Sequence, residues 1–150
     1  MTQLAFEGAN PAPTRDEIVI YCDGGARGNP GPAAIGAVVL DPSTDPPTTL
    51  AEVSETIGVA TNNVAEYRAL IGALEAAAPF RARAVEVRAD SQLLVYQMQG
   101  RYKVKHPNMR PLALRARELL RAYERVTFVH VRREHNTVAD AHVNAALDAP

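Results

Sequence analysis

Four carboxylates stand in four distinct local settings: Asp23 in Tyr21-Cys22-Asp23-Gly24-Gly25, Glu66 in Asn62-Asn63-Val64-Ala65-Glu66-Tyr67, Asp90 in Arg88-Ala89-Asp90-Ser91-Gln92, and Asp140 in Val138-Ala139-Asp140-Ala141. Brought together by folding, they would repel one another and could not all stay ionised without bound cations. Two hard divalent ions about 4 Å apart would neutralise such a set while holding the attacking water and the leaving oxygen of a phosphoryl transfer. Magnesium suits an all-carboxylate site. Zinc does not, because the single cysteine and the four histidines (His106, His130, His135, His142) lack zinc-ligand spacing. His130 and His142 read as ordinary packed or surface residues.

Each carboxylate taken alone also has a plainer explanation. Asp23 can start a glycine turn, Asp90 can cap the helix that follows, and Asp140 can be an anion in a first helical turn. Glu66 resists this treatment. Leu70 and Leu74 follow it at four and eight residues, which sets it on or beside an apolar stripe, where a carboxylate needs a partner.

The elements that would position these groups read as follows. Residues 17–22 form a β-branched run ending at Asp23 and a glycine pair, which predicts a buried strand entering a turn. Residues 34–40 and 52–59 read as two more strands, with Pro42, Pro46 and Pro47 in the turn between them. Over 63–78 the period changes, and Tyr67, Leu70, Ile71 and Leu74 mark an amphipathic helix stopped by Pro79. Residues 84–89 predict a strand, and Asp90-Ser91 opens a helix through about Met98, closed by Gly100. Pro111 suits the first turn of the next helix, which carries Leu112, Leu119 and Leu120. A strand over 126–131 and a helix over 137–147, with Asn136 as N-cap, complete the order βββαβααβα. That order predicts an α/β fold with a mixed sheet, three antiparallel strands followed by parallel additions, and helices on both faces. Such sheets place ligands at the carboxyl ends of their strands, where Asp23 and Asp90 fall.

At 150 residues and 47% hydrophobic content the chain can bury one core, so one domain over 17–150 is expected. Residues 1–16, with Gly8, Asn10, Pro11 and Pro13, read as a flexible lead-in. No apolar run approaches the roughly 20 residues that span a bilayer, and the N-terminus lacks a signal-peptide pattern. Cys22 alone permits no internal disulfide. A monomer in the reducing cytoplasm is the expectation.

The net charge of −1 hides an asymmetry. Over residues 101–125, eight basic side chains (Arg101, Lys103, Lys105, Arg110, Arg115, Arg117, Arg121, Arg125) face two acidic ones (Glu118, Glu124), leaving this segment at +6 and the rest at −7. A positive surface beside a negative site suits a polyanion held by one and cut at the other; an ordinary solvated helix face accounts for the charges equally well. The glycine-rich stretch from Asp23 to Pro32 lets backbone approach a ligand closely, but no Gly-Lys-Ser/Thr ending and no helix follow it. A nucleotide-binding P-loop is therefore excluded.

With these residues laid out, the chain closely resembles the type 1 ribonuclease H family over residues 18–147. Asp23 in Asp-Gly-Gly-x-x-Gly-Asn-Pro-Gly-Pro is similar to the family's first catalytic aspartate, and Asn62-Asn63-x-x-Glu66 to its glutamate. Asp90-Ser91-Gln92 and Asn136-x-x-Ala139-Asp140 resemble its remaining two motifs. The resemblance implies a ribonuclease H-like fold with a five-stranded sheet. It implies hydrolysis of the RNA strand of RNA/DNA hybrids, leaving 3′-hydroxyl and 5′-phosphate ends, with two magnesium or manganese ions on Asp23, Glu66, Asp90 and Asp140. Asn29, Asn62, Asn63 and Gln92 would contact base edges and sugars, and Glu66 would lie near a ribose 2′-hydroxyl. Thr61 and Arg27 would contact phosphates. From its charge, the +6 segment, through Lys103 and Lys105, is expected to guide the nucleic acid.

Two features depart from many relatives. There is no tryptophan-containing basic protrusion, only residues 100–107 ending in Lys-Val-Lys-His-Pro, which resembles a shorter prokaryotic subgroup with some members active on double-stranded RNA. The loop before Asp140 is compact, Arg132-Arg133-Glu134-His135-Asn136, so the product-release role of a loop histidine would fall to His135 or its rival Glu134. Another nuclease or strand-transfer activity on the same fold is the competing enzyme reading. A binding module without chemistry is the competing class.

Overall fold

The structure is a computed structural model and describes residues 12–150. Five strands, β1 (Arg15–Ala26), β2 (Gly31–Asp41), β3 (Thr48–Ala60), β4 (Ala82–Ala89) and β5 (Arg125–His130), form one sheet in the order β3-β2-β1-β4-β5. β1–β2 and β2–β3 pair antiparallel, β1–β4 and β4–β5 parallel. The helices are α1 (Asn62–Ala77), α2 (Gln92–Met98), α3 (Arg110–Leu120) and α4 (Thr137–Asp148). The predicted element order and the mixed sheet are both present. No helix among the described residues is long and apolar enough to cross a membrane.

Alternation along the strands assigns the helices to opposite faces. On β2, Ile35 meets Gly72 of α1, whereas Gly36 meets Ala139 and His142 of α4. On β1, Gly24 lies against Ala65 of α1 and Gly25 against Val143 of α4. The main core lies on the α1 side, where Ile18, Ile20, Val87 and Leu70 are fully buried together with Tyr67 and Leu74. Each such aliphatic side chain contributes roughly 1.5–3 kcal/mol. The Tyr67 hydroxyl donates to buried Gln97 at 2.7 Å, and Gln97 donates onward to the Lys103 carbonyl at 3.2 Å. This bridge ties the loop after α2 to the core.

Three local expectations are corrected. β1 does not end in a turn at Asp23: Gly24, Gly25 and Ala26 continue the ladder opposite Ile35, Ala34 and Ala33. The physical reason is helix proximity, since a Cβ on Gly24 would sit 2.1 Å from the Ala65 carbonyl oxygen. The turn itself comes later, at Gly28 with φ +105°. At the other end β1 begins at Arg15, which pairs with Ala82, so residues 15 and 16 of the expected lead-in belong to the sheet; residues 1–11 lie outside the described residues. The cap of α2 is Ser91, whose hydroxyl accepts from the Leu94 N–H, leaving the Asp90 carboxylate uncommitted to capping.

Candidate active site

Parallel pairing brings the first two carboxylates together. Cys22 is in register with Ala89, so Asp23 and Asp90 are the next residues of adjacent parallel strands, which lie roughly 4.8 Å apart. Glu66 arrives from α1, whose close seating on Gly24 lets the Gly24 N–H donate to Glu66 Oε1 at 2.8 Å. That is the partner its position beside the core required. Asp23, Glu66 and Asp90 each offer an oxygen within 4.8 Å of the others. Asp140, in the first turn of α4, lies close enough to Asp23 to raise its proton affinity, accepts from Asn144 Nδ2 at 3.4 Å, and lies 3.7 Å from the Arg133 guanidinium.

Crowding raises the proton affinity of these groups. Burial, then the charges of Asp90 and Asp140, push the Asp23 carboxyl up to about 7, with Arg133 pulling the other way. Burial and the Asp23 charge hold Glu66 well above the usual carboxylate range despite the Gly24 N–H. Burial also raises Asp90, while Arg133 and Asn136 oppose it. The donor set is all oxygen, its members cannot comfortably share full negative charge, and it opens on a groove of about 760 Å3. It fits hard divalent cations.

The groove is also lined by Arg27, Asn62 and Glu134. Asn29 and Asn62 brace it: Asn29 Oδ1 accepts from the Asn62 N–H at 3.0 Å, and Asn62 Oδ1 accepts from the Ala26 N–H at 2.9 Å. Thr61 caps α1 by accepting from Val64 at 3.2 Å. Asn63 is exposed beside it. Gln92 donates to the Tyr96 hydroxyl at 3.1 Å, and Arg27 is held by Asp148 at 2.6 Å. His135 is not brought to the groove. It lines a separate cavity of about 320 Å3 with Tyr21, Val38 and Val138. Lys103 and Lys105 are exposed, and Lys103 borders a different hollow with Tyr102 and Leu114.

The groove residues His130 and Arg133, and the buried Asn136, make contacts that no local pattern in the sequence predicts. His130 is a surface residue, as expected, and it also lines the groove, its Nε2 lying 3.3 Å from the Asp90 carbonyl oxygen. Arg132 and Arg133 both line the groove, and it is the Arg133 guanidinium that lies 3.7 Å from Asp140. Asn136 was expected to cap α4, but its side chain makes no cap bond and instead donates from Nδ2 to the Cys22 carbonyl at 3.0 Å. Its tertiary partners are more than forty residues away in sequence, so no local signal pointed to them.

A family model described as reverse transcriptase-like matches residues 21–146. A ribonuclease HI of Halobacterium salinarum is 48% identical over 154 aligned residues, covering 97% of this chain and 76% of its own length. The chain belongs to the type 1 ribonuclease H family. Among solved structures of the family, LC11-RNase H1 from compost, in complex with an RNA/DNA hybrid, has a TM-score of 0.80 at 48% identity, covering 87% of this chain and 96% of that one. A bifunctional protein of Mycobacterium tuberculosis is 49% identical over 133 residues, or 89% of this chain. Its N-terminal RNase H domain, solved as a maltose-binding-protein fusion, has a TM-score of 0.83 and is covered to 99%. This chain spans 36% of that whole mycobacterial protein.

Proposed function

We propose that this ribonuclease H chain cuts the RNA strand of RNA/DNA hybrids endonucleolytically, leaving 3′-hydroxyl and 5′-phosphate ends, and that it works as a cytoplasmic monomer. The observation that carries the reading is the convergence of Asp23, Glu66 and Asp90, from three separate segments, to within 4.8 Å. Magnesium or manganese would be held by these three and Asp140. Bound there, two such ions would neutralise the carboxylates, activate a water and stabilise the leaving oxygen.

The chain's own groups divide the remaining work. Asn29 and Asn62 spend their side-chain oxygens on backbone N–H groups, which leaves their –NH2 ends to donate to base edges and sugars in the minor groove. The Thr61 hydroxyl accepts from Val64 and keeps its proton for a phosphate of the DNA strand. Asn63 and Gln92 extend this polar row, and Glu66 lies where it would meet a 2′-hydroxyl. Arg27 must exchange Asp148 for a phosphate. At the groove rim, Glu134 is better placed than His135 to assist product departure.

One labelled sequence presented as RNA/DNA hybrid, double-stranded RNA, single-stranded RNA and duplex DNA, with magnesium, manganese or chelator, tests the proposal. Hybrid cleavage that needs metal is expected. Asp90→Asn should lower it by about 1,000-fold or more, the loss of several kcal/mol of charge stabilisation, with the melting temperature little changed. Cutting of duplex DNA with hybrids ignored would replace the reading, and full activity in Asp90→Asn would end it.

A further inference from the structure

We infer that Asn136 is a positioning residue of the metal site, its buried amide setting the placement of Asp23 and Asp90 against the start of α4, where Asp140 lies. The inference rests on the nuclease reading above and goes beyond its ligand set. Asn136 is 1% exposed. From Nδ2 it donates to the carbonyl of Cys22, the residue immediately before Asp23, at 3.0 Å. The same amide faces the Asp90 carboxylate. Its main-chain carbonyl accepts from the Asp140 N–H at 3.1 Å, the first turn of α4. One residue thus touches the end of β1, the end of β4 and the start of α4.

What it forgoes points the same way. An asparagine at a helix N-cap ordinarily accepts from the first-turn N–H groups through Oδ1. Here that bond is not made, and Oδ1 is buried with no partner among the described residues. An orphaned buried acceptor is unfavourable, and an asparagine turned to cap the helix would avoid it. The arrangement makes sense if both N–H donors of the amide are needed on the site side. Groups that hold ligands in this way typically change metal affinity about 10- to 100-fold when removed.

The test is to compare Asn136→Leu, of similar volume, and Asn136→Ala with the unaltered chain. Manganese binding by calorimetry, melting of the metal-free protein, and kcat and KM on the hybrid are read separately. The expected result is Mn2+ affinity weakened about 10- to 100-fold, metal-free melting of Asn136→Leu unchanged or raised, and a fall in kcat with KM nearly constant. Unchanged Mn2+ affinity in both variants would overturn the inference. So would loss of folding in both, which would make Asn136 a purely structural residue. Absence of Mn2+ binding by the unaltered chain would remove the nuclease reading and this inference together, an outcome distinct from either.

Discussion

The groove around Asp23 and the basic stretch over residues 101–125 carry opposite charge and are built by opposite rules. In the groove, strand register and helix seating force like charges into a partly buried space, and the cost appears as the raised proton affinity of Asp23, Glu66 and Asp90. Along the basic stretch the charged side chains are almost all exposed, and several are paired loosely, such as Arg115 with Glu75 at 3.3 Å. Exposed charges of that kind contribute little to stability and act on a ligand through a screened field. The lesson is that the groove depends on fixed geometry, whereas the stretch depends on where its charges fall relative to the groove.

They fall unevenly. Lys103 follows α2, a helix of 7 residues that starts beside Asp90, and its carbonyl is tied down by Gln97. Arg125 pairs with Ala84 at the opposite end of β4, roughly 20 Å from Asp90 at the rise of a strand. The +6 segment is therefore two half-surfaces, one after α2 around Lys103 and one at the far end of β4 around Arg125.

The sharpest way to break this contrast is Asp23→Asn, which should act in opposite directions on activity and stability. Cleavage should fall by about 1,000-fold or more. Metal-free stability should rise. The folded pKa near 7 exceeds the unfolded value of about 3.9, so the folded state binds the extra proton and its stability declines as pH climbs through 7. The variant escapes that decline, gaining about 1–3 kcal/mol at about pH 8 and little at about pH 4. Chelator-treated thermal melts at the two pH values check this, and equal gains at both would contradict the crowding argument.

A smaller effect separates the two halves of the basic stretch. Replacing Lys103 and Lys105 with alanine should raise KM several-fold and flatten its salt dependence by up to about two units of slope, with kcat nearly unchanged. The same treatment of Arg121 and Arg125 should do neither. Equal salt responses from the two pairs would dissolve the division. Smallest is Ser91→Ala, which removes the α2 cap and should cost about 1 kcal/mol by denaturant melts. Activity should survive, because Asp90 is not the cap.

Legibility followed the range of the forces involved. The apolar period of α1 was visible because Tyr67, Leu70, Ile71 and Leu74 recur at helical spacing, and all four are buried. Pro111 lies in the first turn of α3 as its ring geometry favours. The end of β1 was misread because a glycine pair signals a turn locally, whereas here it admits the backbone of α1, 42 residues on in the Gly24–Glu66 contact. His135 and Glu134 are adjacent in sequence, and which of them reaches the groove depends on the short 3-10 turn over Arg133–His135.

The amino-acid sequence by itself determined the element order, the core faces and the identity of the four carboxylates, since periodicity, caps and motif spacing act over a few residues. Only the tertiary structure decided that β1 and β4 pair so that Asp23 and Asp90 are side by side, that Gly24 N–H serves Glu66, and that Arg133 and Asn136 complete the site. Those are long-range choices of register and seating, made by burial of the sheet between helices and by the requirement that buried polar groups find partners.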